Sequence, residues 1–203
     1  MATKTRAKGG SKSRSGESLF NWDNANTGVL VGAAVAGAAV GLAANMGRKM
    51  FVQMSSGASG DWVEALKTEH KLALAIFDKI QATDDSQTMM RSHLLAKLKY
   101  ALTKHALEEE NVIYPALRAA DEIAGADRLN ADHGYVKTYL YELETMAKDD
   151  PAWLARVSDF RAMIEEHMRE EEEELFPMLR GRLSEEDNAK LSTMMNKEGF
   201  KFA

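Results

Sequence analysis

From residue 61 onward, apolar residues recur every three or four positions, and short polar breaks separate long stretches of this pattern. That period turns one face of an α-helix inward. Trp62, Leu66, Leu72, Ile76 and Ile80 set out a first helix over about 61–81, opened by a capping box of Asp61 with Glu64. The run TDDSQ at 83–87 breaks it. A longer helix follows over about 87–123, with Leu94, Leu98, Leu102 and His105 on one stripe. Pro115 is expected to kink it and Gly125 to end it. A third helix is expected over about 128–148, stopped by Asp149, Asp150 and Pro151. A fourth should run over about 152–180, with Pro177 in the place of Pro115 and Gly181 at its end. Ser184, with Asp187 three positions on, opens a short C-terminal helix over 184–196. Long helices joined by short breaks become antiparallel neighbours. The pattern therefore predicts an all-α fold: an up-down-up-down four-helix bundle over 61–180, then a C-terminal helix and tail over 181–203. Tyr100, Phe160 and Met163 read as core filling.

The first sixty residues follow other rules. Residues 1–26 are polar, basic and rich in Ser, Lys and Gly, which predicts a disordered basic tail. Residues 27–49 read as a Gly/Ala-rich apolar helix, whose centre, GVLVGAAVAGAAVGLAA at 28–44, carries no charge. Those residues would span about 25 Å as a helix, short of the roughly 30 Å bilayer core. Ala33, Gly37 and Gly41 form a small-residue stripe that lets helices approach closely. Arg48 and Lys49 stand where lipid headgroups would lie. The segment fits membrane association and soluble self-association equally. A secretory signal fits less well, because the run starts late and is long. Residues 50–60, ending in SSGASG, read as a linker. The expected location is the cytoplasm, with membrane association left open by residues 28–44.

Composition narrows the chemistry. The chain has no Cys, which excludes disulfides and thiolate metal sites. Its net charge of −5 is unevenly spread, because residues 61–203 alone carry 19 basic and 29 acidic residues, a net of −10. An acidic body attracts cations and argues against nucleic acid as a partner.

Four of the five histidines stand at two repeated spacings, His70 to His105 and His133 to His167. His105 and His167 are each followed by Glu four positions on, Glu109 and Glu171, and the flanks HALEEENVIYPAL and HMREEEEELFPML repeat as well. Residues four apart share a helix face. Each helix of the bundle would project a ligand inward, giving six in all, enough for two metal ions. His70 with His105 would hold one ion, His133 with His167 the other, and Glu109 and Glu171 would span between them. A single buried His is more often structural than a ligand, and a Glu-rich run is more often a solvated face. The matched recurrence of all four His weighs against both. Glu also stands three and five positions after His105 and His167; helix geometry favours the fourth. His93 lacks such a partner and reads as padding. Lys104 and Lys137 lie near the ligands and could contact a bound oxygen species, though solvated lysine is the preferred reading. The Glu-x-x-His of ferritin-like di-iron proteins is absent, since Lys67, Leu102, Asn130 and Ile164 occupy the Glu positions. No zincin motif, phosphate loop or nucleophile elbow occurs.

The series His70, His105-x-x-x-Glu109, His133 and His167-x-x-x-Glu171 resembles the hemerythrin-like, or HHE cation-binding, family over about 61–180. The resemblance implies a four-helix bundle with a non-haem centre of two iron ions, bridged by oxide or hydroxide and by carboxylate. Manganese and zinc suit the same donors. Invertebrate oxygen carriers have a fifth ligating His where Lys137 stands, and an Asp five residues after the fourth-helix His. Two His per iron is closer to bacterial members tied to iron–sulfur cluster repair and nitrosative stress, which carry an additional Cys-containing domain. Three functions follow as expectations. The first is binding or sensing of dioxygen, nitric oxide or peroxide, in a stress response. The second is an enzyme that removes peroxide or nitric oxide, or a role in iron handling and repair. The third is a membrane-anchored or self-assembling interaction protein in which the metal is structural.

Overall fold

The computed structural model describes residues 60–202. The expected tail at 1–26, the apolar helix at 27–49 and all but the last residue of the linker at 50–60 lie outside the described residues, as do the proposals made for residues 28–44. Among the described residues there is no strand, and no helix is long and apolar enough to cross a membrane.

Helix α1 spans Trp62–Gln81. Asp61 caps it, accepting from the backbone N–H of Val63 and Glu64, so one of the acids predicted to open the helix satisfies its free donors. Its buried stripe runs through Leu66, His70, Ala73, Phe77 and Ile80. Leu72, expected on that stripe, is 50% exposed because the face drifts to Ala73. Helix α2 spans Thr88–Glu108, with Leu94, Leu98, Leu102 and His105 all buried.

Before Pro115, where the sequence predicts a kink, α2 passes into a π-turn, π1 (Glu109–Ile113), and then a short α3 (Tyr114–Ala119). Tyr114 donates to the carbonyl of Glu109, five residues back. Pro115 has no N–H and its ring crowds the carbonyl four residues earlier, so a wider turn relieves the clash. The second half repeats this. Helix α5 (Trp153–Glu170) enters π2 (Glu171–Leu175), then α6 (Phe176–Arg182) with Pro177 in its first turn.

Gly125 does not end the second helix. The break falls at Ala120–Glu122, where Asp121 adopts a left-handed φ of 62°, a conformation Asp tolerates better than most residues. Helix α4 then runs Ile123–Thr145, starting earlier than its expected 128. Gly125 lies buried in its first turn, where a Cβ would sit 3.0 Å from Leu175. The last helix, α7 (Glu185–Phe202), extends beyond the expected 196 because its C-terminal half has a surface to cover. Met195 is buried, and Phe202 packs on Tyr100 with ring centroids 5.2 Å apart.

Helices α1, α2, α4 and α5 form the four-helix bundle. Two apolar clusters fill it, one around Leu66, Ile113, Leu129 and Phe176, the other around Phe77, Leu98, Leu140 and Phe160. The four repeated histidines fall in sequence between members of the two clusters: His70 between Leu66 and Ala73, and His133 between Leu129 and Val136. The bundle thus has a polar layer sandwiched between two dry ones.

Candidate metal centre

That layer brings His70, His105, Glu109, His133, His167 and Glu171 together, one or two from each bundle helix or the π-turn that follows it, and all six are buried. Their candidate ligand atoms form two overlapping groups. His70, His105, Glu109 and Glu171 make one; Glu109, His133 and His167 make the other. In each group all atoms lie within 4.8 Å of one another.

The carboxylates reach across both halves. Glu109 Oε2 is 3.1 Å from His105 Nε2 and 3.4 Å from His133 Nε2. Glu171 places Oε1 3.4 Å from His167 Nε2 and Oε2 3.4 Å from His70 Nε2. The π-turns begin at these two acids, which stand one helical turn after His105 and His167.

The outward nitrogen of every ring meets another acid. His70 Nδ1 pairs with Glu172 at 2.7 Å, His105 Nδ1 with Glu69 at 3.1 Å, His133 Nδ1 with Glu110 at 3.0 Å and His167 Nδ1 with Asp132 at 3.4 Å. An Nδ1–H that donates to a carboxylate leaves the Nε2 lone pair facing inward, the arrangement metal-bound histidines require. The pairing is crossed. The acid before each first histidine of a half braces the second (Glu69 on His105, Asp132 on His167). The acid after each inward glutamate braces a ring of the opposite half (Glu110 on His133, Glu172 on His70). By sequence Glu110 and Glu172 are only rivals of the ligands, and no motif gives Glu69 or Asp132 a role. Their adjacency to His70, His133, Glu109 and Glu171 was the signal available.

The donor set fits cations. Glu109 Oε1, Glu171 Oε2 and His167 Nε2 are buried without a hydrogen bond, which is costly unless a partner occupies the space between them. His70 Nε2 and His105 Nε2 lie 3.0 Å apart, and two lone pairs at that distance need a proton or a metal ion between them. Protonation answers part of this demand. Burial alone would lower His105, but the charges of Glu109 and Glu69 outweigh it and hold the ring well above its ordinary value. Burial would likewise raise Glu109, yet His105 and His133 hold its carboxyl well below the usual range.

Two features break the repeat. Tyr114 takes the position that Phe176 takes in the second half. Its hydroxyl lies 3.0 Å from Glu171 Oε1, 3.0 Å from His133 Nε2 and 3.3 Å from Glu109 Oε2. Burial, and then the charges of Glu109 and Glu171, push the phenol well above its ordinary value, so it keeps its proton. Phe176 brings no hydroxyl; it stacks on His70, with ring centroids 6.3 Å apart, and packs edge-on against Trp62 at 5.4 Å. Second, Lys104 is buried, against the expectation of a solvated lysine. It donates to Glu69 and, at 2.6 Å, to Glu108. Its repeat counterpart is Glu166, an exposed residue. Lys137 is 68% exposed and pairs with Glu110, and His93 is exposed.

Beside the imidazoles lies a chamber of about 10 Å³, walled by His105, His133, His167 and by apolar residues including Leu102, Val136 and Ile164.

Buried imidazoles and carboxylates that turn ligand-type atoms without hydrogen bonds toward one another define a metal-binding helical bundle. The chain belongs to the hemerythrin family: the Hemerythrin HHE cation binding domain matches residues 61–179, more than half of it. It is similar to a DNA nickase of a Nostoc species, at 25% identity over 130 residues that cover 64% of this chain and 36% of that protein. It is also similar to an uncharacterised hemerythrin-like protein of Schizosaccharomyces pombe, at 24% identity over 135 residues that cover 64% of each. The chain thus spans about a third of the first relative and under two thirds of the second. Among solved structures, a hemerythrin HHE cation binding domain-containing protein of Mycobacterium kansasii has the same fold. Its TM-score is 0.62 at 23% identity, covering 70% of this chain and 86% of that one.

Proposed function

We propose that the protein is a non-haem di-iron protein that binds or senses a small oxidant or gas: dioxygen, nitric oxide or peroxide. His70 and His105 would hold one ion, His133 and His167 the other, and Glu109 and Glu171 would bridge them. The observation that carries this reading is the set of buried atoms at the centre that lack a hydrogen bond, Glu109 Oε1, Glu171 Oε2 and His167 Nε2. Iron held by such donors would supply reversible one-electron chemistry. The chain's own part is to brace each ring by its Nδ1, to exclude bulk water with two apolar layers, and to leave one chamber of small volume beside the imidazoles. That chamber suits a diatomic or similarly small molecule, since about 10–15 Å³ is the least that admits a water.

Tyr114 favours an enzyme that removes peroxide or nitric oxide as a second reading, because it brings a proton-bearing hydroxyl among the ligand-type atoms. Nucleic acid is not proposed as a partner, since residues 61–203 carry a net −10. The deciding experiment is metal analysis with an optical spectrum of protein produced with iron and exposed to air. About two irons per chain and near-ultraviolet charge-transfer bands are expected. Protein that takes up only zinc or manganese, or no metal, overturns the reading. Steady-state consumption of peroxide or nitric oxide then separates turnover from binding.

A further inference from the structure

The seam between α2 and α4 carries a second cavity, outside the metal centre. It is a groove of about 360 Å³. Its floor includes Leu102, Ala106, His133 and Val136, and the same four residues wall the inner chamber. The two spaces are thus separated by one layer of side chains. The chamber suits a molecule of a few atoms. The groove has the volume of pockets that take organic ligands, about 300–1,000 Å³.

An ion pair closes each end of the groove. Lys99 Nζ reaches the two carboxylate oxygens of Glu144 at 2.8 and 2.9 Å, and Lys137 Nζ reaches Glu110 at 3.2 Å. Both bridges cross from one side of the seam to the other. Between Lys99 and Glu110 the backbone advances roughly 16 Å, at about 1.5 Å per residue. The walls between the bridges are mainly apolar, with Leu140 at the side and the ring of Tyr141 standing 67% exposed.

We propose that this groove binds one uncharged, mainly apolar organic molecule, seated over Ala106 and His133 between the two ion pairs. The charges on its rim are already matched, two lysines against two glutamates, so an ionic ligand finds no free counter-charge. Glu110 is committed further, accepting from His133 Nδ1. A helix docked along the seam would run over both bridges and strip their charges of water, at a cost that the pairing only partly offsets. A diatomic would leave most of the apolar wall wet. A compact neutral molecule covers that wall and leaves both bridges intact. Once seated, it lies directly over the wall of the small chamber and past the Nδ1 side of His133.

Titration of the metal-loaded full chain with N-phenyl-1-naphthylamine, a neutral probe that brightens on leaving water, tests this. Saturable binding of one probe per chain is expected. Thr103 lines the groove away from the ligands, and Thr103→Trp, which fills it there, should weaken binding at least tenfold. Tyr141→Lys alters an exposed residue and puts an unmatched charge on the wall, so it should weaken binding likewise and keeps the test valid if Thr103→Trp does not fold. Tyr135→Lys, at an equally exposed tyrosine outside the groove, should leave binding unchanged, as should all three variants the metal content. The proposal is overturned if the full chain shows no saturable binding, including the case in which binding appears only after residues 1–59 are removed. It is equally overturned if Tyr135→Lys weakens binding as much as Tyr141→Lys does, because the probe would then be reporting general surface adhesion.

Discussion

Glu110 holds the Nδ1 of His133 at 3.0 Å, while its chain neighbour Glu109 faces the Nε2 of the same ring at 3.4 Å. Two consecutive glutamates thus flank one imidazole, one from outside the centre and one from within. The other half repeats this with Glu172 and Glu171 on either side of His70, at 2.7 and 3.4 Å. Each inward acid is the first residue of a π-turn and its outer neighbour the second, so both halves place the pair at the same step of the widened turn.

That division of labour predicts different costs along the acidic runs. Glu109→Gln and Glu171→Gln remove charge from between the two sets of histidines and should lose most of the bound metal. Glu110→Gln and Glu172→Gln should keep both equivalents but bind them about 10–100-fold more weakly, the usual cost of losing a brace on a ligating ring. Elemental analysis combined with chelator competition measures both effects. Equal losses in all four variants would mean that the inner and outer acids share one role.

Tyr114→Phe makes the first half resemble the second, where Phe176 occupies the matching place. The variant removes a hydroxyl that touches Glu109, His133 and Glu171 at once. In the metal-free chain it strips Glu171 Oε1 of a donor at 3.0 Å, and a buried acceptor left unsatisfied costs about 1–3 kcal/mol. With iron bound, the environments of the two ions should converge while iron content stays constant. Mössbauer spectra of the loaded wild type and variant read this directly: two distinct signals should draw together. Signals as far apart as before would assign the asymmetry to another cause.

Much of this centre was legible in the sequence, because a buried polar layer in a helical bundle must recur at helical spacing. His70, His105, His133 and His167 announce themselves by their matched gaps. The stripe of Leu94, Leu98 and Leu102 leads straight to His105. What stayed hidden depends on contacts between distant segments. Glu69 reads as an ordinary polar neighbour of His70, yet it serves His105, 36 positions away. Lys104 reads as solvated until α7 is laid over it. Pro115 signals a disturbed helix without saying whether the backbone bends or widens. Gly125 looks like a stop because glycine often is one, but here it makes room for Leu175.

Gly199 offers a sharp test of the α7 packing. A Cβ there would sit 1.8 Å from Glu108 Oε1 and 3.1 Å from Lys104 Cε. Glu108 is fully buried and held by Lys104, so it has little room to yield. Gly199→Ala should therefore destabilise the fold by about 1–3 kcal/mol, the range for overpacking a tight interface, even though alanine is the better helix former by roughly 1 kcal/mol. Chemical denaturation measures it. Gly199→Ala combined with Glu108→Ala should recover part of the packing loss, since the clashing atoms are gone. An unchanged or raised midpoint in the single variant would show that α7 does not press on Glu108.

The last prediction concerns pH: the melting temperature of the metal-free protein and the gain that metal adds to it should move in opposite directions. Without metal, burial lowers His105 and His167, but Glu109, Glu69 and Glu171 outweigh it, so both rings are raised from 6.5 in the folded chain. A raised imidazole stabilises the fold fully below its unfolded value and loses that contribution as pH climbs through the folded one. Glu108 acts in the same direction. Burial, followed by the charge of Glu69, raises it from 4.5 to about 8 against the pull of Lys104. Between those values the folded chain holds a proton that the unfolded chain has released, so stability falls as pH rises through them. Glu69 is held at about 2, where burial is outweighed by His105 and Lys104, and it does not titrate near neutrality. The melting temperature in chelator should therefore decline from about pH 6.5 to pH 9. Metal competes with the protons on the imidazoles, so the gain in melting temperature on loading should widen across the same interval. Glu108→Gln should flatten part of the decline in chelator without narrowing that gain. A chelated protein that grows more stable toward pH 9 would mean that the rings are already neutral in the folded state and hold no protons for metal to displace.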